Sequence, residues 1–498
     1  SPMADFGYDV SNHCDIDPMF GTLDDMDRLI EEAHAKDLKL ILDFVPNHTS
    51  DQHPWFLESK SSRENPKRDW YYWKDPAADG GPPNNWLSRF DGESAWKWDE
   101  HTGQYYLHSF LEEQPDLNWR NPAVRESMLD VLRFWYNRGV DGFRVDVSYR
   151  VMKDPDFRDN PVNPDWKPGM DRSFRLIETH TKNTPDIHTF NRWIRETNDE
   201  YDERVTIGEM NLSIPELVKH YGSEEKPEFH LPFNFRLIFS DWDAENVRDL
   251  VAEFEKEIPD HGWPNWVLSN HDQPRFSTRA GIEQVRNGLL FLLTVRGTPT
   301  IYYGEEIGME NVEIPPDKIQ DPWEILSPNM GLGRDPERTP MRWDSSENAG
   351  FCKKSVDPWL PIGNSSKANN VAAQTVKPKS ILNFVRQLIQ IRRDREALTA
   401  GQCRPLKSEP PVLAYLRFLA DDTSIFLCLL NLSHDTQTVN VSELLKESGI
   451  SESNAFDQFE LSLLISTFMD DRTDMDQKTV QVQLEANEGI ILELNIDN

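Results

Sequence analysis

The chain has little of what would place it in an oxidising compartment or in a membrane. Its 498 residues include four cysteines, Cys14, Cys352, Cys403 and Cys428, and no two of them form a C-x-x-C pair. That spacing argues against a disulfide framework or a thiolate metal cluster and favours reduced thiols in a cytosol. No apolar run approaches the roughly 20 residues a membrane helix needs, and the apolar core of a signal peptide is missing. A cytoplasmic location is therefore expected. Positive charge is also scarce: 86 acidic residues face 53 basic ones, for a formal charge of −33. The surplus is scattered instead of gathered in a tail, which makes nucleic acid and anionic membrane poor partners and predicts a solvated exterior. Internal repeats and low-complexity tracts are absent too.

What is present is an alternation. From Asp5 to about residue 400, short apolar strands alternate with helical patterns. Thr22 can cap a helix whose apolar positions Leu23, Met26, Leu29, Ile30 and Ala33 follow helical spacing, and LKLILDFV (38–45) then reads as a buried strand. Asn121 and Pro122 open a second helix with Val124, Met128, Val131, Leu132 and Trp135 on one face, and DGFRVDV follows directly. RVTIGEM, HLPFNFRLI, NWVLSNHD and TPTIYYGEE continue the pattern, with helices around 243–257, 281–296 and 380–396. This is the signature of a parallel sheet wrapped by helices. Residues 48–118 and 304–379 break the rhythm, and irregular segments of that length in a compact fold are usually functional. After residue 400 short alternating strands such as VLAYLRFL and SIFLCLLNL predict a separate all-β domain.

In DGFRVDV, Arg144 and Asp146 stand two residues apart in an otherwise apolar strand, so guanidinium and carboxylate share one surface. Other strands end in polar side chains as well: Asp43 leading to Asn47 and His48, then Glu209, then Asn270, His271 and Asp272. A lone acid after a strand is more often a helix cap than a catalyst. In a parallel α/β barrel, however, the carboxyl ends of all strands open onto one rim, where catalytic groups are drawn from several strands at once.

The ordered set DFVPNH, GFRVDV, GEM and NHD resembles the four conserved regions of the α-amylase superfamily, glycoside hydrolase family 13. QPDLN (114–118) is similar to the fifth region of its oligo-1,6-glucosidase and α-glucosidase branch, and SPMADFGYD, HTSDQHPWF and GRDPERTPMRWD extend the likeness over nearly the whole chain. The resemblance implies a (β/α)8 TIM barrel over residues 1–47 and 119–400, a B domain inserted at 48–118 and a C-terminal β sandwich at 401–498. It also implies that the first barrel strand is missing from this sequence. With it goes the D-x-N-x-D-G loop that holds calcium or magnesium in many relatives, so no metal site and no cofactor is expected within these residues.

The implied activity is that of a retaining, exo-acting α-glucosidase on short α-glucosides of the maltose and isomaltose type. Asp146 becomes the nucleophile, Glu209 the general acid and later base, and Asp272 the third carboxylate, which holds ring hydroxyls. Arg144 is expected to depress the Asp146 pKa and aim it, while partial desolvation and neighbouring carboxylates raise that of Glu209. His48 and His271 are expected to donate hydrogen bonds to the glucose, and Asp43 to pair with Arg144 behind the reacting groups. Asp5 and Arg338 are implied as the pair that recognises the terminal sugar, with Tyr8 stacking beneath it. Val147, directly after the nucleophile, is similar to the α-1,6-acting members, whereas Thr there accompanies α-1,4 preference. Sixteen tryptophans suit a sugar enzyme, although most are expected in packing. The alternatives are a transglycosylating or isomerising member, such as a sucrose isomerase or trehalose-phosphate hydrolase, and a non-catalytic protein like a transporter heavy chain. The last normally loses a catalytic carboxylate and carries a membrane segment.

Overall fold

The structure, a computed structural model, describes residues 1–420, 424–446, 459–469 and 481–496. They fall into two compact units, Ser1–Met210 with Glu216–Phe233 and Gln320–Gly333, and Asn211–Pro215 with Asn234–Ile319 and Arg334–Asn498.

In the first unit the predicted alternation is realised as three parallel strands in the order Ile41–Phe44, Gly142–Val145, Val205–Gly208. Helix Leu23–His34 begins in a capping box, Thr22 accepting from the Asp25 N–H while the Asp25 side chain accepts from the Thr22 N–H. Helix Pro122–Asn137 has Asn121 as cap and buries Val124, Met128, Val131, Leu132 and Trp135, the face anticipated from the spacing. The Asp-Gly that opens the central strand now has a reason. Asp141 is buried and accepts from the Leu40 N–H at 2.8 Å, with His34 Nε2 at 2.7 Å, tying that strand to the start of its neighbour. Gly142 lies so close to the third strand that a Cβ there would be 2.4 Å from the Val205 carbonyl oxygen. Register then places Asp43 beside Arg144, and Arg144 beside Ile207.

The segment 48–118 is more ordered than its lack of periodicity suggested. It holds helix Pro54–Ser61 and an antiparallel sheet in the order Trp73–Lys74, Gln104–Leu107, Trp96–Asp99. Its core is aromatic: Tyr72, Trp86, Trp96 and Leu107 pack with Tyr105 and Phe157.

In the second unit strands Asn265–Val267 and Thr298–Thr300 pair in parallel, and helix Val285–Thr294 between them is buried along nearly its whole length. Helices Ala244–Glu257 and Ile381–Arg393 carry side-chain N-caps from Asp243 and Ser380. The chain then enters a five-stranded antiparallel sheet, in the order Gln402–Leu406, Val412–Phe418, Ile425–Asn431, Gly489–Ile496, Phe459–Ser466. A two-stranded sheet of Gln437–Asn440 and Gln481–Leu484 shares its core of Leu416, Leu427, Leu429, Val439, Leu484 and Leu492. The four cysteines are free thiols. Among the described residues no helix is long and apolar enough to cross a membrane.

Candidate active site

The first unit gathers most of the acidic candidates around one arginine. Arg144 projects from the middle strand and touches three carboxylates: Asp146 at 2.5 Å, Asp43 at 2.9 Å and Glu209 at 2.8 Å. Asp146 and Glu209 are both buried and sit on different terminal nitrogens of the same guanidinium. Their separation is therefore limited to a guanidinium's width plus two hydrogen bonds. The parallel register accounts for this: Asp43 pairs with Arg144 from the strand on one side, Glu209 follows the end of the strand on the other, and Asp146 follows the end of Arg144's own strand.

The turn after Asp146 fixes Glu209 a second time. Val147 sits at φ 34°, ψ 39°, a left-handed conformation that a β-branched residue adopts only under constraint. Its N–H donates to Glu209 Oε2 at 2.8 Å, and the Ser148 hydroxyl donates to the Glu209 carbonyl at 2.9 Å.

Burial pushes the Asp146 carboxyl well above the usual carboxylate range; Arg144 pulls it back, while Glu209 and Asp43 push it further. This corrects the expectation that Arg144 would hold Asp146 below its ordinary value. A single guanidinium serves the buried Asp146 and Glu209 together with the half-exposed Asp43. Desolvation and like charge make it costly for Asp146 and Glu209 to be ionised together. A carboxylate and a carboxylic acid side by side is the state that acid-assisted nucleophilic displacement requires.

The Tyr8 hydroxyl donates to Asp43 at 3.2 Å and accepts from Arg144 at 3.4 Å, and the guanidinium lies 5.6 Å from the centre of its ring. Asp5 is buried and accepts from Gln114 Nε2 at 3.2 Å. His48 is buried against Phe110, with Nδ1 facing the Asn47 amide at 3.0 Å and Nε2 the Tyr8 carbonyl at 2.8 Å. The Gln114 amide nitrogen also lies 3.1 Å from Nε2, so both ring nitrogens are engaged within the fold.

Sequence reasoning missed the buried pair beneath this layer. Lys153 lies 2.8 Å from Asp116 and donates to the Asn47 side chain and the Arg150 carbonyl, each at 2.6 Å. Asp116 also accepts from the Ser109 N–H at 2.8 Å and the Ser109 hydroxyl at 2.5 Å. The ends of the first two strands and the insertion are thus joined through one ammonium. QPDLN signalled Asp116 and Gln114 as motif members. Nothing in the sequence distinguished Lys153 from a surface lysine.

The second unit carries its own cluster. Arg338 NH2 lies 2.8 Å from Asp272, its Nε donates to the His271 carbonyl at 2.7 Å, and Arg334 approaches Asp272 at 3.4 Å. Asp272 and His271 are each about a quarter exposed, with His271 Nε2 3.6 Å from the carboxylate. Behind them burial raises Glu337 to about 8, partly offset by Arg338.

The catalytic-domain family of the α-amylases matches residues 1–401. A probable α-glucosidase of Rhizobium meliloti is 40% identical over 453 residues, covering 88% of this chain and 81% of the relative. An oligo-1,6-glucosidase of Parageobacillus thermoglucosidasius is 37% identical over 464 residues, covering 86% and 81%. Among solved structures, the crystal structure of an α-glucosyl transfer enzyme superimposes with a TM-score of 0.89 at 35% identity, covering 99% of this chain and 90% of that one. The fold is accordingly the (β/α)8 barrel of that family with a sheet-rich C-terminal region.

Proposed function

The chain belongs to the α-amylase family of glycoside hydrolases, and from that premise we propose that it is a retaining, exo-acting α-glucosidase of short α-glucosides, working in the cytoplasm. The observation that carries this reading is the sharing of Arg144 by Asp146 and Glu209. Retaining glycosidases place their two carboxyl groups about 5–5.5 Å apart, one as nucleophile and one as acid.

In the first step an Asp146 oxygen attacks the anomeric carbon, the glycosidic C–O bond breaks, and the leaving oxygen takes the proton from Glu209. In the second, Glu209, now ionised, takes a proton from water as the water oxygen attacks the same carbon. The bond to Asp146 breaks, and glucose leaves with its anomeric configuration retained. Arg144 balances the charge that moves between the two carboxylates. By the family resemblance Asp272, His48 and His271 are proposed to hold sugar hydroxyls, and Asp5 and Arg338 to recognise the terminal glucose with Tyr8 stacking beneath it. Binding through His48 would require its Nε2 to turn from the Tyr8 carbonyl.

Glucosyl transfer is the second reading, favoured by the 35% identity to the α-glucosyl transfer enzyme. A sugar hydroxyl can replace water in the second step. The test is a panel of maltose, isomaltose, sucrose, trehalose and p-nitrophenyl α-glucoside, with products resolved by chromatography. Release of glucose from the short α-glucosides supports the proposal. Oligosaccharides longer than the donor would assign transfer, and rearranged disaccharides would assign isomerisation.

A further inference from the structure

Away from the carboxylates around Arg144, the first unit contains a second constellation with the composition of a transition-metal site. His188, His220 and Glu228 bring one potential ligand atom each to within 4.8 Å of one another. His188 lies in the first turn of helix Ile187–Asn198, and His220 in the short helix Val218–Tyr221. Glu228 follows the hairpin of Gly222–Ser223 and Lys226–Pro227. That hairpin sets the last two side by side: the Glu228 N–H donates to the Tyr221 carbonyl and the Phe229 N–H to the His220 carbonyl, both at 3.0 Å. His220 is fully buried, Glu228 is 3% exposed, and the His188 side chain at 30% leaves an approach from solvent.

The hydrogen bonds define which atoms are available. His220 Nε2 faces Asn183 Oδ1 at 3.0 Å, and the Asn183 amide nitrogen is committed to Glu216 at 3.2 Å. The ring therefore donates through Nε2 and keeps its Nδ1 lone pair inward. Metal-binding histidines are held in this way, the far nitrogen donating to a carbonyl or carboxylate. His188 Nδ1 lies 2.9 Å from a Glu228 oxygen, and a tautomeric shift to Nε2 of this partly exposed ring would free Nδ1 without loss of a proton.

The point between the ligands is held by Asn191. Its Nδ2 donates to His220 Nδ1 at 2.8 Å and to Glu228 at 2.7 Å. The same side chain pays for this arrangement, because its buried Oδ1 has no hydrogen-bond partner. An unmet buried acceptor costs about 1–3 kcal/mol. Turning the amide over would carry Oδ1 to the position between an imidazole lone pair and a carboxylate, which is favourable only when a cation stands there.

The geometry points to a divalent transition-metal site formed by His188, His220 and Glu228, with Asn191 Oδ1 completing it. Two imidazoles, one carboxylate and one amide suit Zn2+ or Co2+ better than Ca2+ or Mg2+, which take oxygen ligands. Arg192 now lies 3.4 Å from Glu228; its side chain is 31% exposed and can turn into solvent. The bound ion would clip the hairpin to the helix, apart from the groups assigned to glycoside cleavage. The expectation from the family resemblance was no metal within these residues, so the site is additional to it.

Full-length protein, stripped with a chelator and dialysed, should be titrated with zinc sulfate by calorimetry and with Co2+ by visible absorption. The expected result is one ion per chain, cobalt bands of a four-coordinate nitrogen and oxygen site, and a melting temperature that climbs with zinc concentration. His188→Gln and Glu228→Gln should each weaken binding by about 100-fold or more. His101→Gln, an exposed histidine elsewhere, should leave it unchanged. Absence of saturable zinc binding by the wild-type chain overturns the proposal. So does stoichiometric binding that survives both ligand substitutions.

Discussion

The backbone N–H of Val147 donates to Glu209 Oε2 at 2.8 Å from a residue held at φ 34°. The residue after the proposed nucleophile thus positions the proposed acid, through a conformation that valine resists. Left-handed strain of about 1–3 kcal/mol is relieved in Val147→Gly, while the added freedom of the unfolded chain returns roughly 1 kcal/mol. Melting of the variant should fall within about 1–2 kcal/mol of wild type. Its kcat should drop and the basic limb of its pH profile should shift, since the donor to Glu209, the proposed acid, is no longer fixed.

Val147→Thr tests the linkage reading. The ratio of kcat/KM for maltose over isomaltose should rise by about tenfold, within what one side-chain group contributes in a sugar pocket. Equal ratios in variant and wild type would remove Val147 as the determinant.

Lys153 and Asp116 make a buried ion pair at 2.8 Å. Lys153→Met leaves the carboxylate uncompensated, at a cost of about 3–5 kcal/mol. The double variant Lys153→Met with Asp116→Asn should recover part of that loss. A double-mutant cycle in denaturant checks this, and additivity of the two single effects would show that the pair is not coupled.

Glu337 gives a pH dependence with a definite sign. Burial raises its carboxyl to about 8 in the folded chain. Between the unfolded value near 4.3 and that folded value, the unfolded state releases the proton and the folded state keeps it, so stability falls as pH rises. Glu337→Gln removes the effect. Its melting temperature should match wild type at about pH 4, exceed it progressively toward pH 8, and hold a constant advantage above that.

The chemistry was legible where strand geometry alone sets it. Arg144 and Asp146 meet because they stand two residues apart at the end of a strand, and the parallel register with Asp43 follows from the alternation of apolar strands and helices. The helical face of residues 124–135 was legible for the same reason. The antiparallel sheet within 73–107 was not, since its strands are two to four residues long and are held by aromatic packing with no period. Lys153 was hidden because a lysine's burial depends on partners far away in sequence, here Asp116 and Asn47. The direction of the Asp146 shift was misjudged for a related reason: the sequence displayed the arginine beside it, whereas the burial and the two further carboxylates come from the fold.

Asp146 as nucleophile and Glu209 as acid is the proposed division of labour on which the mechanism turns. The measurement is mass spectrometry of protein quenched during turnover of p-nitrophenyl α-glucoside, with Glu209→Gln beside wild type, followed by peptide mapping. That substrate has a leaving group that departs without a proton, so Glu209→Gln should still form the intermediate and release it slowly. The account predicts a mass increase of one glucosyl residue, mapped to Asp146, and none in Asp146→Asn, whose turnover should fall by about 1,000-fold or more. A glucosyl adduct on any other residue, or wild-type turnover in Asp146→Asn, would contradict it.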